Sequence, residues 1–273
     1  MAMRNRIVAI TALLLCTMTT VKAQSDSIID AKVSTVSQMI GFGATDVLDT
    51  YLSHEHFDGT GMTFLSTIER RKPASAWSTL MEHQANLSLT NDRNDKANEI
   101  EGAYDFFWGK MHQWSLMDNR LLLQAGGMVN AGIGFIYNTI NSNNPAQGRL
   151  HLNIMPTGTA TYKFRLFGRK AAIRYELQLP LLGLMFSPNY GQSYYEIFSR
   201  GDYDHNAVPT TFVSAPNFRQ QLMLDVNVSR KLTLRAGYLG DYQQAEVNNL
   251  KQHIYSHRVM IGIVRNFRMI NYR

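Results

Sequence analysis

The sequence predicts an all-β protein: an antiparallel, up-and-down transmembrane β-barrel of about ten strands. The main observation is an alternation of apolar and polar residues. It is clearest at residues 171–182 (AAIRYELQLPLL), where Ile173, Tyr175 and Leu177 lie between charged or amide side chains. Since successive side chains of a strand point to opposite faces, such a strand has one apolar and one polar face. An N-terminal export leader and an alternation of short and long connections are also typical of barrels in bacterial outer membranes.

The leader is predicted to occupy residues 1–23. Two arginines precede a mostly apolar stretch at 7–18, and Val21-Lys22-Ala23 supplies small residues for signal peptidase. A lipoprotein leader is disfavoured, because Leu15 precedes Cys16 at a position where such sites need a small residue. The leader therefore predicts a cleaved, exported protein.

The predicted mature chain consists of a short periplasmic segment (24–33) and one barrel domain (34–273). It has no cysteine, since the single cysteine lies in the leader, and this excludes a disulfide-stabilised scaffold. The formal net charge is +6, but part of the positive charge belongs to the leader and the rest is interspersed with acidic residues. Nucleic-acid binding needs a clustered basic patch and is not expected.

Ten segments show the alternation of strands, and single-chain outer-membrane barrels have an even number of strands. Twelve strands is the alternative, because the connection 183–217 could contain a further hairpin at 194–199 and 210–213. The connections predicted to be short are 117–119, 168–170 and 230–231, and those predicted to be long are 46–58, 140–149, 183–217 and 244–252. The ten predicted strands are residues 34–45, 59–70, 76–92, 97–112, 121–139, 150–167, 171–182, 218–229, 232–243 and 254–267.

Alternation alone does not decide which face of the barrel points outward. A soluble, lipocalin-like barrel would bury the apolar face, whereas a membrane barrel exposes it to lipid. The membrane barrel is favoured, because several predicted strands exceed the ~9–11 residues of a tilted span and aromatic residues cluster near strand ends, as interfacial girdles do. The predicted girdle residues are Phe106, Phe107, Trp108, Trp114, Tyr162, Phe167, Tyr238, Tyr242 and Phe267.

This outward-apolar register predicts a charged interior. An arginine or lysine that faces lipid at mid-bilayer costs about 2–4 kcal/mol, whereas inside the barrel it can pair with a carboxylate. A barrel of about ten strands is narrow enough for side chains to fill, so we expect a plugged lumen. The predicted interior charge network consists of Glu99, Glu101, Asp105, Lys163, Arg165, Arg174, Glu176, Asp225 and Arg235.

Four segments carry a family resemblance: DTYLSHEHFDGTG at 49–61, FIYNTINSNNPAQG at 135–148, GLMFSPNYGQSYYEIF at 183–198 and RAGYLGDYQQ at 235–244. They resemble a family of outer-membrane barrels described only as a domain of unknown function. The resemblance covers most of the mature chain and implies a barrel fold and an outer-membrane location. It assigns no catalytic residue, because the family has no established activity. One difference is His54, which follows Tyr-Leu-Ser where the family pattern has proline.

The longest predicted loop begins with a tyrosine-rich segment that is a candidate binding surface. Tyrosine offers a flat ring with a polar tip, which suits sugars and lipid head groups, and function concentrates in long ordered loops. The alternative, which we favour, is an in-folded loop that caps the barrel and packs on its own aromatic residues. The candidate ligand-binding residues are Ser187, Asn189, Tyr190, Gln192, Ser193, Tyr194, Tyr195 and Glu196.

A lipid-modifying hydrolase, of the phospholipase or lipid A deacylase type, is an alternative function. Such barrel enzymes resemble one another in a His-x-Ser pair on one strand, where the two residues share a face and the histidine activates the serine. None of the eight histidines here has a serine two residues later. The weak catalytic candidates are the adjacent pairs Ser53–His54 and Ser256–His257, whose members point to opposite faces if they lie in a strand.

No metal and no cofactor are predicted. His54 and His56 share a face if they lie in a strand, but the sequence fixes no third ligand. The glycines at 126, 127, 132 and 134 lack the spacing of a nucleotide-binding loop. The expected partners are outer-membrane lipid and an unidentified extracellular or periplasmic partner. The sequence thus predicts a barrel with a structural or binding role, and the alternatives are a lipid hydrolase and a small-solute channel.

Overall fold

The computed structural model describes residues 32–72, 75–142, 144–229 and 232–269. The predicted signal peptide, the predicted turn at 230–231 and most of the predicted segment 24–33 lie outside these ranges. Within the ranges, no helix is long and apolar enough to cross a membrane.

The described chain is built almost entirely of β-strands, and a short helix, α1 (Tyr194–Arg200), interrupts them. The strands are β1 (Lys32–Asp49), β2 (Phe57–Arg71), β3 (Trp77–Asp92), β4 (Asn98–Leu116), β5 (Leu121–Asn138), β6 (Ala146–Leu166), β7 (Arg169–Gln178), β8 (Leu182–Phe186), β9 (Ala207–Thr211), β10 (Phe218–Asn227), β11 (Thr233–Val247) and β12 (Leu250–Met269).

Ten of these strands close an antiparallel barrel. Each strand from β1 to β6 pairs with the next one, β7 pairs with β10, and β10, β11 and β12 pair in order. β12 then pairs with β1 along nearly its whole length, from Val33–Arg268 to Asp49–Gln252. The predicted up-and-down barrel of about ten strands is confirmed. We call the end with the short turns 117–120 and 167–168 the periplasmic end, and the opposite end external.

Strands β8 and β9 form a hairpin that extends the wall at the external end. β8 follows β7 after an irregular stretch at 179–181 and pairs with the external half of β6, while β9 pairs with β8. The alternative hairpin was predicted to have a strand at 194–199. That prediction is wrong, because these residues belong to helix α1, which Ser193 caps. The second arm, 210–213, overlaps the end of β9.

The barrel is apolar outside and largely polar inside. On β12, Val259 and Ile261 are 69% and 58% exposed, whereas Arg258 and Met260 beside them are fully buried at 0%. Monomeric soluble proteins rarely expose a contiguous apolar surface of this kind and rarely bury an arginine. The apolar belt therefore faces lipid, and the soluble-barrel alternative does not fit.

Apolar side chains fill part of the lumen, which the sequence did not predict. Two of the apolar clusters are rich in methionine, whose flexible side chain fills irregular space. Phe107, predicted to lie in the aromatic girdle, is instead 4% exposed inside the lumen, because it shares a face of β4 with Asp105. The clusters are Val47, Leu52, Phe57, Ala97, Ile136 and Ile254 near the external end, and Met39, Leu65, Met223, Leu239 and Met260, and Leu80, Phe107, Met111, Met128 and Met155 deeper inside.

The prediction of a long loop at 244–252 is wrong. Strand β11 continues to Val247, β12 begins at Leu250, and a two-residue turn joins them. Asn248 and Asn249 both have positive φ, 52° and 59°. Asparagine accepts this left-handed conformation, which matches the twist of a tight hairpin.

Candidate functional site

A buried ion pair connects two separate parts of the barrel wall. Arg219 Nη1 on β10 donates a 2.7 Å hydrogen bond to Glu82 Oε2 on β3, and the two side chains are 5% and 0% exposed. Arg219 also donates to Gln84 and Gln178, and its guanidinium lies 4.8 Å from the ring centroid of Phe107. Buried charges persist only when they are paired and hydrogen-bonded. The pair therefore fixes β3 against β10 across the lumen.

A second ion pair lies on the periplasmic side of the first one. Arg174 Nη2 donates to Glu176 Oε2 at 2.9 Å, and Arg174 Nη1 lies 3.6 Å from Glu69 Oε2 on β2. Gln178 joins the two pairs, because its amide nitrogen donates to Glu176 at 2.9 Å and to Glu82 at 3.2 Å. The predicted pairing of Arg174 with Glu176 is present in the structure, and together with Glu82 and its partners it forms a network across the lumen, here called the lumen network.

Arg258 is a further buried arginine, and its partners are neutral. Its guanidinium donates to the hydroxyls of Thr63, Thr45 and Ser88 at 3.2, 2.7 and 3.2 Å, and also to the carbonyl oxygen of Ala44. These partners lie on β1, β2 and β3, so Arg258 ties β12 to the three strands that follow the closing seam.

The external half of the lumen contains a small cavity of about 60 Å³. Asp105 Oδ1 in its wall lies 2.9 Å from His151 Nε2 and accepts a 3.1 Å hydrogen bond from Asn130. Two buried atoms of cavity-lining residues, Asp105 Oδ2 and Arg219 Nη2, have no protein partner. Because buried polar groups need partners, the cavity can accommodate ordered water or a small polar molecule.

The remaining predicted network residues form three pairs with different environments. Glu99 and Glu101 are buried, but they accept hydrogen bonds from Asn138 at 3.0 Å and Ser88 at 2.9 Å instead of pairing directly with a cation. Asp225 and Arg235 form a two-pronged ion pair at 2.6 and 2.7 Å. Lys163 and Arg165 are on the inward side of β6, but they are exposed at the periplasmic mouth, and among the described residues no carboxylate pairs with them.

At the external end, the segment 187–206 is folded into a compact unit, here called the external cap. Its helix α1 begins with a capping box, in which Ser193 and Glu196 each bond the backbone N–H of the other. These bonds from Ser193 hold the pKa of the Glu196 carboxyl below its usual range. Gln192 Oε1 accepts hydrogen bonds from the Asn189 backbone at 3.0 Å and from Asn206 at 2.7 Å.

Aromatic contacts connect the external cap to the barrel. The Tyr194 hydroxyl accepts a 2.6 Å hydrogen bond from the Gly148 backbone and donates to Gln147 at 2.7 Å. The Tyr194 ring meets Tyr51, in the loop 50–56, edge-on at 5.8 Å. Burial raises the pKa of Tyr51 to about 12, and the charge of Asp49 adds to this shift. The cap is therefore fixed to two separate parts of the barrel rim.

The candidate ligand-binding residues thus have two different environments. Six of them are engaged in the cap's own structure: Ser187 is buried, Asn189, Gln192, Ser193 and Glu196 form the local hydrogen bonds, and Tyr194 packs on the rim. Tyr190 and Tyr195 point outward and are 64% and 62% exposed.

The structure does not bring the catalytic candidates together. Ser256 is buried in the lumen beside Arg258, whereas His257 lies on the outer face, where its Nδ1 is 2.6 Å from the Tyr238 hydroxyl. The Ser53 hydroxyl accepts a hydrogen bond from the Glu55 backbone, and His54 is exposed. These adjacent pairs therefore lack the nucleophile–base contact of a hydrolase.

Sequence reasoning missed Glu82, Arg219, Asp241 and Arg258, which lie inside the lumen. The same two-residue alternation that identified the predicted network also places these residues on inward faces. Applying the alternation to every charge on the predicted strands would have found them.

A closed antiparallel barrel, with an apolar belt outside and paired charges inside, defines the class of outer-membrane β-barrel proteins. Within this class, the chain belongs to the family described as "Protein of unknown function (DUF3316)", whose model matches residues 10–273. The predicted resemblance to a barrel family of unknown function is confirmed at this level. No curated protein matches the chain.

Several solved structures are similar to this fold at low sequence identity. The outer membrane protease OmpT from Escherichia coli has 9% identity and a TM-score of 0.48, with 90% of this chain and 99% of that chain covered. The transport unit of the autotransporter AIDA-I from Escherichia coli has 5% identity and a TM-score of 0.47, with 96% and 97% covered. The translocator domain of the autotransporter NalP from Neisseria meningitidis has 12% identity and a TM-score of 0.40, with 97% and 95% covered.

Proposed function

We propose that this protein is a non-conducting outer-membrane barrel that binds surface carbohydrate through its external cap. The observation that carries the proposal is a group of aromatic side chains on the cap that the fold leaves exposed. Tyr190, Tyr195, Phe198 and Tyr203 are 62–64% exposed, although apolar side chains of the same segment, such as Ile197, are fully buried.

These aromatic residues are presented on an ordered surface. The capping box of α1 and the contacts of Tyr194 with the rim support the segment from below. Arg200 lies 5.5 Å from the ring centroid of Tyr195 and leaves the ring accessible. A rigid aromatic side chain loses little conformational entropy when it binds, and its flat face with a polar tip suits the apolar face of a sugar ring. A cell-surface polysaccharide is therefore the partner that fits the cap.

The lumen network supports the non-conducting part of the proposal. It links side chains of β2, β3, β7 and β10, and methionine-rich clusters fill the lumen around it. An ion or solute that crossed the barrel would have to break the Glu82–Arg219 pair, which is buried and strongly hydrogen-bonded. A small-solute channel is therefore disfavoured.

The binding proposal is tested on a glycan array with refolded, detergent-solubilised protein. We expect the unmodified protein to bind a subset of polysaccharides, and Tyr190→Ala/Tyr195→Ala/Tyr203→Ala to lose most of that signal. Tyr175→Ala is the matched control, because Tyr175 is an exposed tyrosine on the lipid-facing surface and its loss should leave binding unchanged. The proposal is wrong if the unmodified protein binds no glycan, or if the triple variant binds as well as it does.

The closure proposal is tested by single-channel recording in planar bilayers. The unmodified barrel should insert and remain silent. Discrete conductance steps from the unmodified protein would contradict it.

A further inference from the structure

Three potential metal ligands meet on the outer face of the barrel near its external end. Asp46 lies on β1, His253 on β12, and His56 immediately before β2. Asp46 Oδ1 is 3.1 Å from His253 Nε2 and 3.4 Å from His56 Nδ1. One ligand atom from each residue lies within 4.8 Å of the other two. We propose that Asp46, His56 and His253 form a binding site for a divalent transition-metal ion, with Zn²⁺ as the ion that the ligand set fits best.

Two of the three ligand-atom separations match those of a tetrahedral zinc site. Zinc binds imidazole nitrogen and carboxylate oxygen at about 2.0–2.2 Å, so two ligand atoms of a tetrahedral site are about 3.3 Å apart. The Asp46–His253 and Asp46–His56 separations lie close to this value. Two histidines with one carboxylate are also a set that borderline-soft ions such as Zn²⁺ accept, whereas Mg²⁺ and Ca²⁺ prefer oxygen ligands alone.

The site lies where water can reach it. On the outer face of β1, the lipid-exposed Ile40 and Phe42 come first, and the polar Asp46 follows toward the external end. The side chain of Asp46 is 34% exposed and that of His56 is 58% exposed. The site is therefore beyond the apolar belt, and the side that carries His56 leaves a coordination position for water or an external ligand.

The surroundings orient one of the ligands in advance. The His253 side chain is 8% exposed, and its ring stacks on Tyr255 with the ring centroids 4.3 Å apart and an interplanar angle of 3°. Stacking of this kind restricts rotation of the His253 ring and so holds the direction of its nitrogen before a metal ion binds. His54, in contrast, belongs to the same loop as His56 but lies outside the cluster.

A metal ion bound at this position would join the two strands that close the barrel. Asp46 and His253 are 207 residues apart in sequence, and they lie on the two strands that close the barrel. A metal ion bound to both would cross-link the seam between β1 and β12, and through His56 it would also reach the loop before β2. Binding should therefore stabilise the closed barrel.

The test is isothermal titration of tag-free, EDTA-treated protein in detergent with ZnCl₂. We expect one saturable site per chain, and a loss of more than about tenfold in affinity for His253→Ala, His56→Ala and Asp46→Asn, since even outer-shell changes cost 10–100-fold. His54→Ala is the matched control and should keep the affinity of the unmodified protein. All variants should still show the gel shift on boiling that marks a folded barrel, because the three side chains lie on its outer surface.

A second readout separates the site from general histidine binding. Zn²⁺ should raise the temperature of the gel shift in the unmodified protein and not in His253→Ala, and EDTA should reverse the effect. The proposal is wrong if the unmodified protein binds no Zn²⁺, if the triple variant of Asp46, His56 and His253 keeps the same affinity and stoichiometry, or if His54→Ala loses as much affinity as His56→Ala.

Discussion

At the scale of single residues, the lumen depends on buried charged side chains. Ion pairs and hydrogen bonds among these side chains stabilise them in place of bulk water. Glu82 is fully enclosed, and its two carboxylate oxygens accept hydrogen bonds from Arg219, Gln178 and Gln221. Removing one ion of a buried pair leaves the other without compensation, which costs more than the pair contributes as a whole. The network is therefore sensitive to single truncations.

Glu82→Ala should lower the free energy of unfolding by about 3–5 kcal/mol, because Arg219 stays buried without its carboxylate. Urea unfolding of the refolded protein in detergent, followed by tryptophan fluorescence, measures the change. Lys163→Ala is the control, since Lys163 is exposed at the periplasmic mouth and its removal should change stability by less than about 0.5 kcal/mol. Equal midpoints for Glu82→Ala and the unmodified protein would show that the pair does not stabilise the barrel.

Tyr51 should titrate far above an ordinary tyrosine, whose pKa is about 10. Burial raises its pKa to about 12, so the folded state favours the neutral phenol. The stabilisation is complete below pH 10 and is lost as the pH rises through about 12. The difference in absorbance at 295 nm between the unmodified protein and Tyr51→Phe should have its midpoint near pH 12. A midpoint near 10 would mean that the cap does not bury this ring.

At the scale of elements, the two-residue alternation locates all ten barrel strands, because in a lipid-facing barrel each strand must expose one apolar face. It fails where this requirement ends. β11 and β12 extend beyond the apolar belt through 244–247 and 250–253, where the outward residues Gln244, Glu246, Lys251 and His253 are all polar, so the sequence resembles a loop. The segment 194–199 was predicted as a strand of the alternative hairpin, although the Ser193 and Glu196 spacing of a capping box indicated a helix.

The assignment of the apolar face of β12 to the lipid can be tested directly. Ile261→Arg places a charge on the lipid face of β12 and should cost about 2–4 kcal/mol, measured by urea unfolding in lipid vesicles. Val213→Arg is the control, because Val213 is 91% exposed in the loop between β9 and β10 and its replacement should have little effect. A tolerated Ile261→Arg would contradict the assigned orientation of β12.

At the scale of the whole molecule, the sites depend on which strands become neighbours around the barrel. Glu82 meets Arg219 only because β3 and β10 lie across the lumen from each other, and His253 meets Asp46 only because β12 closes on β1. Alternation gives the face of each residue, but it does not give its height or its position around the wall. The sequence could therefore predict that inward charges form ion pairs. It could not predict the particular pairing of Glu82 with Arg219, nor the cluster of Asp46, His56 and His253.

The cap and the lumen network should be separable. Phe186 and Ala207 are paired neighbours on β8 and β9, so a short Asn-Gly turn can replace residues 187–206 and close the hairpin. The shortened barrel should still shift on boiling and remain silent in planar bilayers, because the lumen network is intact, but it should lose glycan binding. Conductance in this variant would show that the cap, and not the network, closes the barrel.

The pairing of β1 with β12 also sets the order of folding. These strands come from opposite ends of the described chain, so the wall cannot close before the last strand is available. Until then, β1 has a free edge with unpaired backbone groups, which can pair with another chain. Contacts of such long sequence separation form slowly. Pairing of β1 with β12 is therefore expected to be the last and slow step of barrel closure, and aggregation through the β1 edge should compete with it until then.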